Sequence, residues 1–182
     1  MVKAMTEDFG NPSAMHLKGV EAEKYIKSSA ESLARLLKVQ EKEILFTSGG
    51  TESDNLALIG AAFANKRSGN HIITTSVEHP AVSQPALFLQ EQGFEVTYLP
   101  VDSRGVVKNG CSEAVLREDT ILVSVMYVNN EVGAVMPVEE TRSPCPRKKS
   151  QGSVSCGCHP GLWKIQDLPK KNGNRSSFCQ RS

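Results

Sequence analysis

An α/β fold built on a mostly parallel sheet is predicted by three features of this sequence. Helix-like and strand-like segments alternate from Gly19 to Met126, the strand-like runs are short and apolar, and glycine, proline or asparagine punctuates the joins between them. Strands separated by helices of this length are joined by crossovers, and crossovers make neighbouring strands parallel. At 182 residues the chain is long enough for one domain with a sizeable core.

The elements follow in order. Ile26, Ala30, Leu33 and Leu37 recur at three- and four-residue steps and predict an amphipathic helix over Gly19–Lys38, with Glu21, Lys24, Lys27 and Glu31 on its polar face. Ile44 to Thr47 predict a short buried strand, Gly49-Gly50 a turn, and Glu52–Asn65 a second helix. The pattern repeats with a strand at His71–Thr75, a helix at Pro80–Gln92, a strand at Val96–Leu99, a helix near Ser112–Arg117 and a strand at Ile121–Met126. From Thr141 to Ser182 the chain is rich in Ser, Lys, Arg, Pro, Gly and Cys and has no hydrophobic period. The predicted organisation is therefore a domain over 1–140 and an unstructured tail over 141–182.

Composition narrows the partners. A formal net charge of +1 gives no electrostatic reason to expect a nucleic acid. No stretch is apolar and long enough to span a bilayer, and Met1 to Asn11 lacks the basic-then-apolar layout of a signal peptide, so a cytoplasmic protein is expected. Of the five cysteines, Cys145, Cys156, Cys158 and Cys179 all fall in the last stretch. Cys156-Gly157-Cys158-His159 has no second ligand pair at zinc spacing, and no metal site is expected.

Three segments are candidates for chemistry. Thr47 to Asn55 ends a predicted strand, turns on two glycines and opens a helix. Free N–H groups and the positive end of the helix dipole suit a phosphate there, with Gly50 allowing close approach and Thr51 adding a hydroxyl; a plain N-capped turn fits the same residues. Neither the Lys-containing phosphate loop nor the Gly-x-Gly-x-x-Gly pattern is present. Glu78-His79-Pro80 follows a strand and precedes a helix, where an imidazole could stack on a flat cofactor and move protons, or simply sit on the surface. Asn129-Asn130-Glu131-Val132-Gly133 follows another strand, where an amide side chain could bind a ligand or shape a polar turn. Successive parallel strands would deliver all three to one edge of the sheet.

In this order and spacing the motifs resemble the cysteine desulfurases of the NifS and IscS type, which are fold-type I pyridoxal-phosphate enzymes of the class-V aminotransferase family. The resemblance rests on Phe9-Gly10-Asn11-Pro12-Ser13-Ala14-Met15-His16, Phe46 to Ser53, Glu78-His79 and Val128 to Gly133, and it covers most of Met1 to Glu140. Selenocysteine lyases and other class-V relatives share parts of it. It implies part of the three-layer large domain of the aspartate-aminotransferase-like fold, with pyridoxal 5'-phosphate as cofactor and L-cysteine as substrate. It also implies a homodimer and a sulfur-acceptor or scaffold partner for the intact enzyme. By the same resemblance Gly50 and Thr51 would bind the cofactor phosphate, His79 would stack on its ring as the catalytic-site histidine, and Asn130 would contact the substrate–cofactor adduct. The family's ring-nitrogen aspartate, Schiff-base lysine and persulfide cysteine have no matching residue here, nor does the strand that precedes the Gly-Asn-Pro-Ser run. The chain is therefore expected to be a fragment, inactive by itself and with a non-native tail; the alternative is a non-catalytic fragment that binds the cofactor phosphate weakly or associates with an intact desulfurase subunit.

The genetic code offers a reason for the tail. Read one nucleotide later, Cys156 gives Val or Ala, Gly157 permits Asp, Cys158 gives Val or Ala, and Pro160 permits Gln, which suits the family run Val-Asp-Ala-x-Gln. Trp163 followed by Lys164 forces Gly, and Lys164 followed by Ile165 forces Lys or Arg, where the family's Gly-Lys is due. Phe178 to Ser182 can be read in that frame as Ser-Val-Ser-Gly-His, the run before the family's lysine. A one-nucleotide insertion, or an equivalent two-nucleotide deletion, near codon 140 is the expectation.

Overall fold

In a computed structural model the described residues are 2–108, 114–137 and 153–157. Where the length predicts one body, the chain divides into two compact units, Met1–Phe46 and Thr47–Ser182.

The first unit holds α1 (Val2–Thr6), α2 (Leu17–Leu37) and a short 3-10 turn at Glu41–Glu43. The buried positions of α2 are Gly19, Ala22, Ala30 and Ala34, while Ile26 of the predicted apolar face is exposed. Small residues win that face because the preceding loop comes in at backbone distance. A Cβ on Gly19 would stand 2.1 Å from the carbonyl oxygen of Ala14. The helix ends at Lys38 in the left-handed conformation, its N–H shared by the carbonyls of Ala34 and Arg35.

The second unit is a four-stranded parallel sheet in the order β2-β1-β3-β4, formed by β1 (His71–Thr75), β2 (Glu95–Leu99), β3 (Thr120–Met126) and β4 (Ser153–Gly157). β1 is central and buried at every position, and its β-branched run Ile72 to Thr75 suits a strand covered on both faces. Ile72 and Ile73 point to opposite faces, as neighbours in a strand must, and each anchors a separate core. On one face Ile72 and Leu122, joined by Ile121 where the β1–β3 register shifts, pack with Leu58 and Ala62 of α3 (Gly50–Asn65) and Val82 and Leu89 of α4 (Pro80–Glu91). On the other, Ile73, Leu99, Val125 and Met126 pack with Val107 and Met136.

Two expectations are corrected. Ile44 to Thr47 form no strand: the segment has no ladder partner among the described residues, and Leu45 and Phe46 are exposed. The tail is not wholly without structure, because Ser153–Gly157 form β4, pairing with Leu122 to Met126 of β3. Of the helix expected near Ser112–Arg117, Ala114 and Val115 are helical, Leu116 and Arg117 are not, and the rest lies outside the described residues. Among the described residues no helix is long and apolar enough to cross a membrane.

Candidate functional site

The site residues lie in the second unit, at the edge where the strands end. α4 leaves the carboxyl end of β1 and the 127–137 segment leaves that of β3, which is where ligands sit in open α/β sheets. α3 runs back towards the start of β1, so its own N-terminus stands at the same edge.

The start of α3 is open. Its N-cap Gly49 makes no side-chain capping bond, and its extended backbone (φ 175) suits any residue. Nothing lies within 4 Å of where a Cβ at Gly49 would stand, so neither conformation nor packing explains a glycine there. Gly50 is half-exposed at the first helical position and Thr51 exposed at the second. The one acid of the first turn, Glu52, turns back and accepts from the Ser48 N–H at 2.7 Å and the Ser48 hydroxyl at 2.6 Å. Those bonds hold its carboxyl below the usual range and keep it ionised.

His79 is the N-cap of α4: its Nδ1 accepts the Ala81 N–H at 3.1 Å, and Pro80 follows in the first turn, where a missing N–H costs nothing. The ring is exposed, and with Nδ1 accepting, the proton of the neutral imidazole is on Nε2. Pro85 lies inside α4 and cannot donate to the carbonyl of Ala81. That carbonyl receives Asn55 Nδ2 at 3.4 Å instead. Asn55 belongs to the same motif as Gly50 and Thr51, so one side chain ties the opening of α3 to the opening of α4.

The loop before His79 is pinned to the exit of β3. Glu78 Oε1 accepts from the Thr75 hydroxyl at 2.8 Å and from the Met126 N–H at 2.9 Å. Burial pushes the Glu78 carboxyl up to about 7; the charge of Asp54 adds to this, and the two hydrogen bonds oppose it. Beside it, buried Asn129 donates to the Val77 carbonyl at 3.1 Å and accepts from the N–H groups of Glu131 and Val132 at 2.9 and 3.0 Å. The turn closes through Gly133, whose positive φ of 70 a glycine accepts without strain, and its N–H reaches the Asn129 carbonyl. Asn130 is exposed at the tip of that turn.

Gly50, Thr51, His79 and Asn130 are thus carried to one edge by elements that are bonded to one another. Asn55, Glu78 and Asn129, which do the bonding, lie within the three candidate segments, but the sequence pattern assigns none of them a role. Pro85 was the available signal for Asn55, because a proline inside a helix orphans the carbonyl four residues earlier. Nothing in the sequence separates the role of Asn129 from that of Asn130. Among the described residues no three His, Cys, Asp or Glu side chains gather as a metal site.

A model of the aminotransferase class-V family matches residues 1–153. The cysteine desulfurase IscS of Clostridium botulinum (strain Kyoto) is 45% identical over 148 residues, 81% of this chain and 37% of that protein. Among solved structures, a NifS-like protein superposes with a TM-score of 0.78 at 40% identity, over 86% of this chain and 43% of the other. SspA in complex with cysteine superposes with a TM-score of 0.72 at 33% identity, over 85% and 44%. The chain thus spans less than half the length of the relatives it matches.

Proposed function

Since the chain belongs to the class-V aminotransferase family, whose members use pyridoxal phosphate, we propose that it is the cofactor-phosphate half of a cysteine desulfurase site. On this reading it holds the cofactor weakly and does not turn over L-cysteine by itself. The observation that carries the proposal is the solvent-exposed start of α3, with no side-chain cap from Gly49, unfilled space beside that glycine, and a bond through Asn55 to the helix that His79 caps.

These residues fit a phosphate monoester. The first turn of α3 offers N–H groups and the positive dipole end, the Thr51 hydroxyl is exposed, and Glu52 is drawn back onto Ser48. Gly50 and Thr51 would hold the phosphate. His79 would lay its ring on the flat cofactor with Nδ1 committed to the helix and Nε2 outward, and the Asn130 amide would orient the amino-acid substrate. When bound, pyridoxal phosphate supplies an electron sink for charge developing beside the substrate's α-carbon. In the complete reaction L-cysteine passes its sulfur to an enzyme thiolate, giving L-alanine and a persulfide. This chain presents no residue matched to the lysine that would move the α-proton, nor to the cysteine that would take the sulfur. Incubating the chain with pyridoxal phosphate and L-cysteine should give no more alanine than the cofactor alone gives. Alanine and sulfide at an enzyme's turnover, lost in His79→Ala, would refute this.

A shifted reading frame is part of the same proposal. The register of β4 supports it, for Gly157, whose codon permits aspartate one base later, pairs with Met126, the last residue of β3, at the edge that carries the site. The coding DNA read one base later from codon 140 should run through Val/Ala-Asp and Gly-Lys/Arg to a lysine codon. Early stops in that frame would end the idea.

A further inference from the structure

We propose that Glu78 is a positioning residue of this site, its carboxyl holding the β1–α4 loop against the end of β3 and so setting where His79 stands. The inference rests on the assignment of His79 to the cofactor site. A single oxygen, Oε1, accepts both the Thr75 hydroxyl and the Met126 N–H, and so joins the ends of two neighbouring strands. The segment it governs is short. Only Ser76 and Val77 separate the end of β1 from Glu78, and His79 follows directly, with its ring fixed by one bond to the Ala81 N–H. Asn129 grips the same segment at the Val77 carbonyl, so the backbone entering His79 is held by two contacts reaching 48 and 52 residues along the chain. Such remote clamps are how a site on loops acquires the precision of a site on strands.

The environment of Glu78 is unusual for a carboxyl used only as a strut. It is largely withdrawn from water, with its carboxyl pushed up to about 7, and the acidic group that opposes its ionisation is Asp54 of α3, three residues beyond Thr51. The remaining groups held to it are the hydroxyl of Thr75 and the amide of Met126. Near neutral pH the clamp therefore exchanges a proton. The neutral acid accepts the two bonds more weakly than the carboxylate, which couples the grip on the His79 loop to pH.

The test compares Glu78→Gln, which keeps an acceptor oxygen and cannot ionise, with Glu78→Ala, which removes the clamp. Amide signals of Met126 and Ala81 are followed by NMR from pH 5.5 to 8.5 without ligand, and pyridoxine 5'-phosphate, which has no aldehyde to react with surface lysines, is titrated separately. In the unaltered chain the two amides should shift together through neutral pH. Glu78→Gln should abolish that joint transition and keep pyridoxine-phosphate affinity within about twofold, whereas Glu78→Ala should speed exchange at Met126, displace the Ala81 signal and weaken affinity about tenfold. A joint transition that persists in Glu78→Gln, or an Ala81 amide that ignores Glu78→Ala, overturns the inference. Should Glu78→Ala not fold, the Glu78→Gln titration alone decides. If the amides behave as expected and pyridoxine phosphate does not bind, the cofactor reading fails and the clamp stands.

Discussion

Asn129 and Asn130 are adjacent amides in one turn, yet the first is buried with its donor and acceptor both engaged and the second stands in solvent. Removing a buried side chain that bonds Val77, Met126, Glu131 and Val132 leaves those groups without it, whereas removing an exposed one leaves nothing. Asn129→Ala should therefore lower unfolding free energy by about 2–3 kcal/mol in urea titrations. Asn130→Ala should change it by less than about 0.5 kcal/mol. The reverse order would mean that Asn130 braces the turn and is no free site residue.

At the scale of elements, α3 and α4 are joined where proline breaks the second helix. If Asn55 serves the carbonyl that Pro85 orphans, Asn55→Ala should cost about 1 kcal/mol in the natural chain. In a Pro85→Ala background, where the substituted residue supplies the missing N–H, the same change should cost less, keeping only the loss of the Asn55 Nδ2 bond to the Thr51 carbonyl at 2.7 Å. Equal costs in both backgrounds would separate Asn55 from Pro85. The sequence revealed these elements unevenly. β1 has the predicted bounds because Ile72 and Ile73 are apolar on both faces, and α4 is announced by His79-Pro80. Ile44 to Thr47 misled because an apolar run specifies a strand only if a neighbouring strand is there to pair with it. Ser153–Gly157 was missed for the complementary reason, since its pairing with β3 compensates for a weak local pattern. The site was legible as motifs, but the bonds that gather them span up to 52 residues, and no local pattern records them.

For the whole molecule, two titratable groups, one buried and one partly buried, give stability opposite slopes with pH. His71 lies fully buried at the start of β1, its ring nitrogens bonded to the hydroxyls of Thr120 and Thr97 at 2.7 and 2.8 Å. Burial, with the charge of Arg117, lowers its pKa below 6.5, so its contribution is complete above that value and lost as pH falls. Glu78 is raised from 4.5 to about 7, so its contribution is complete below 4.5 and lost as pH rises to about 7. The unfolding free energy of Glu78→Gln relative to the natural chain should therefore increase between pH 4.5 and 7, by up to about 3 kcal/mol. A difference that does not vary with pH would mean that the carboxyl is not withdrawn from water as described.

On the proposed function, the start of α3 recognises a phosphate without help from a lysine. Calorimetric titration of the chain with pyridoxine 5'-phosphate and with pyridoxine tests it directly, because the two ligands differ only in the phosphate. The phosphate ester should bind at least about tenfold more tightly, and Thr51→Val should remove most of that advantage. Equal affinities for the two ligands, or a preference for the ester that Thr51→Val leaves intact, would contradict it.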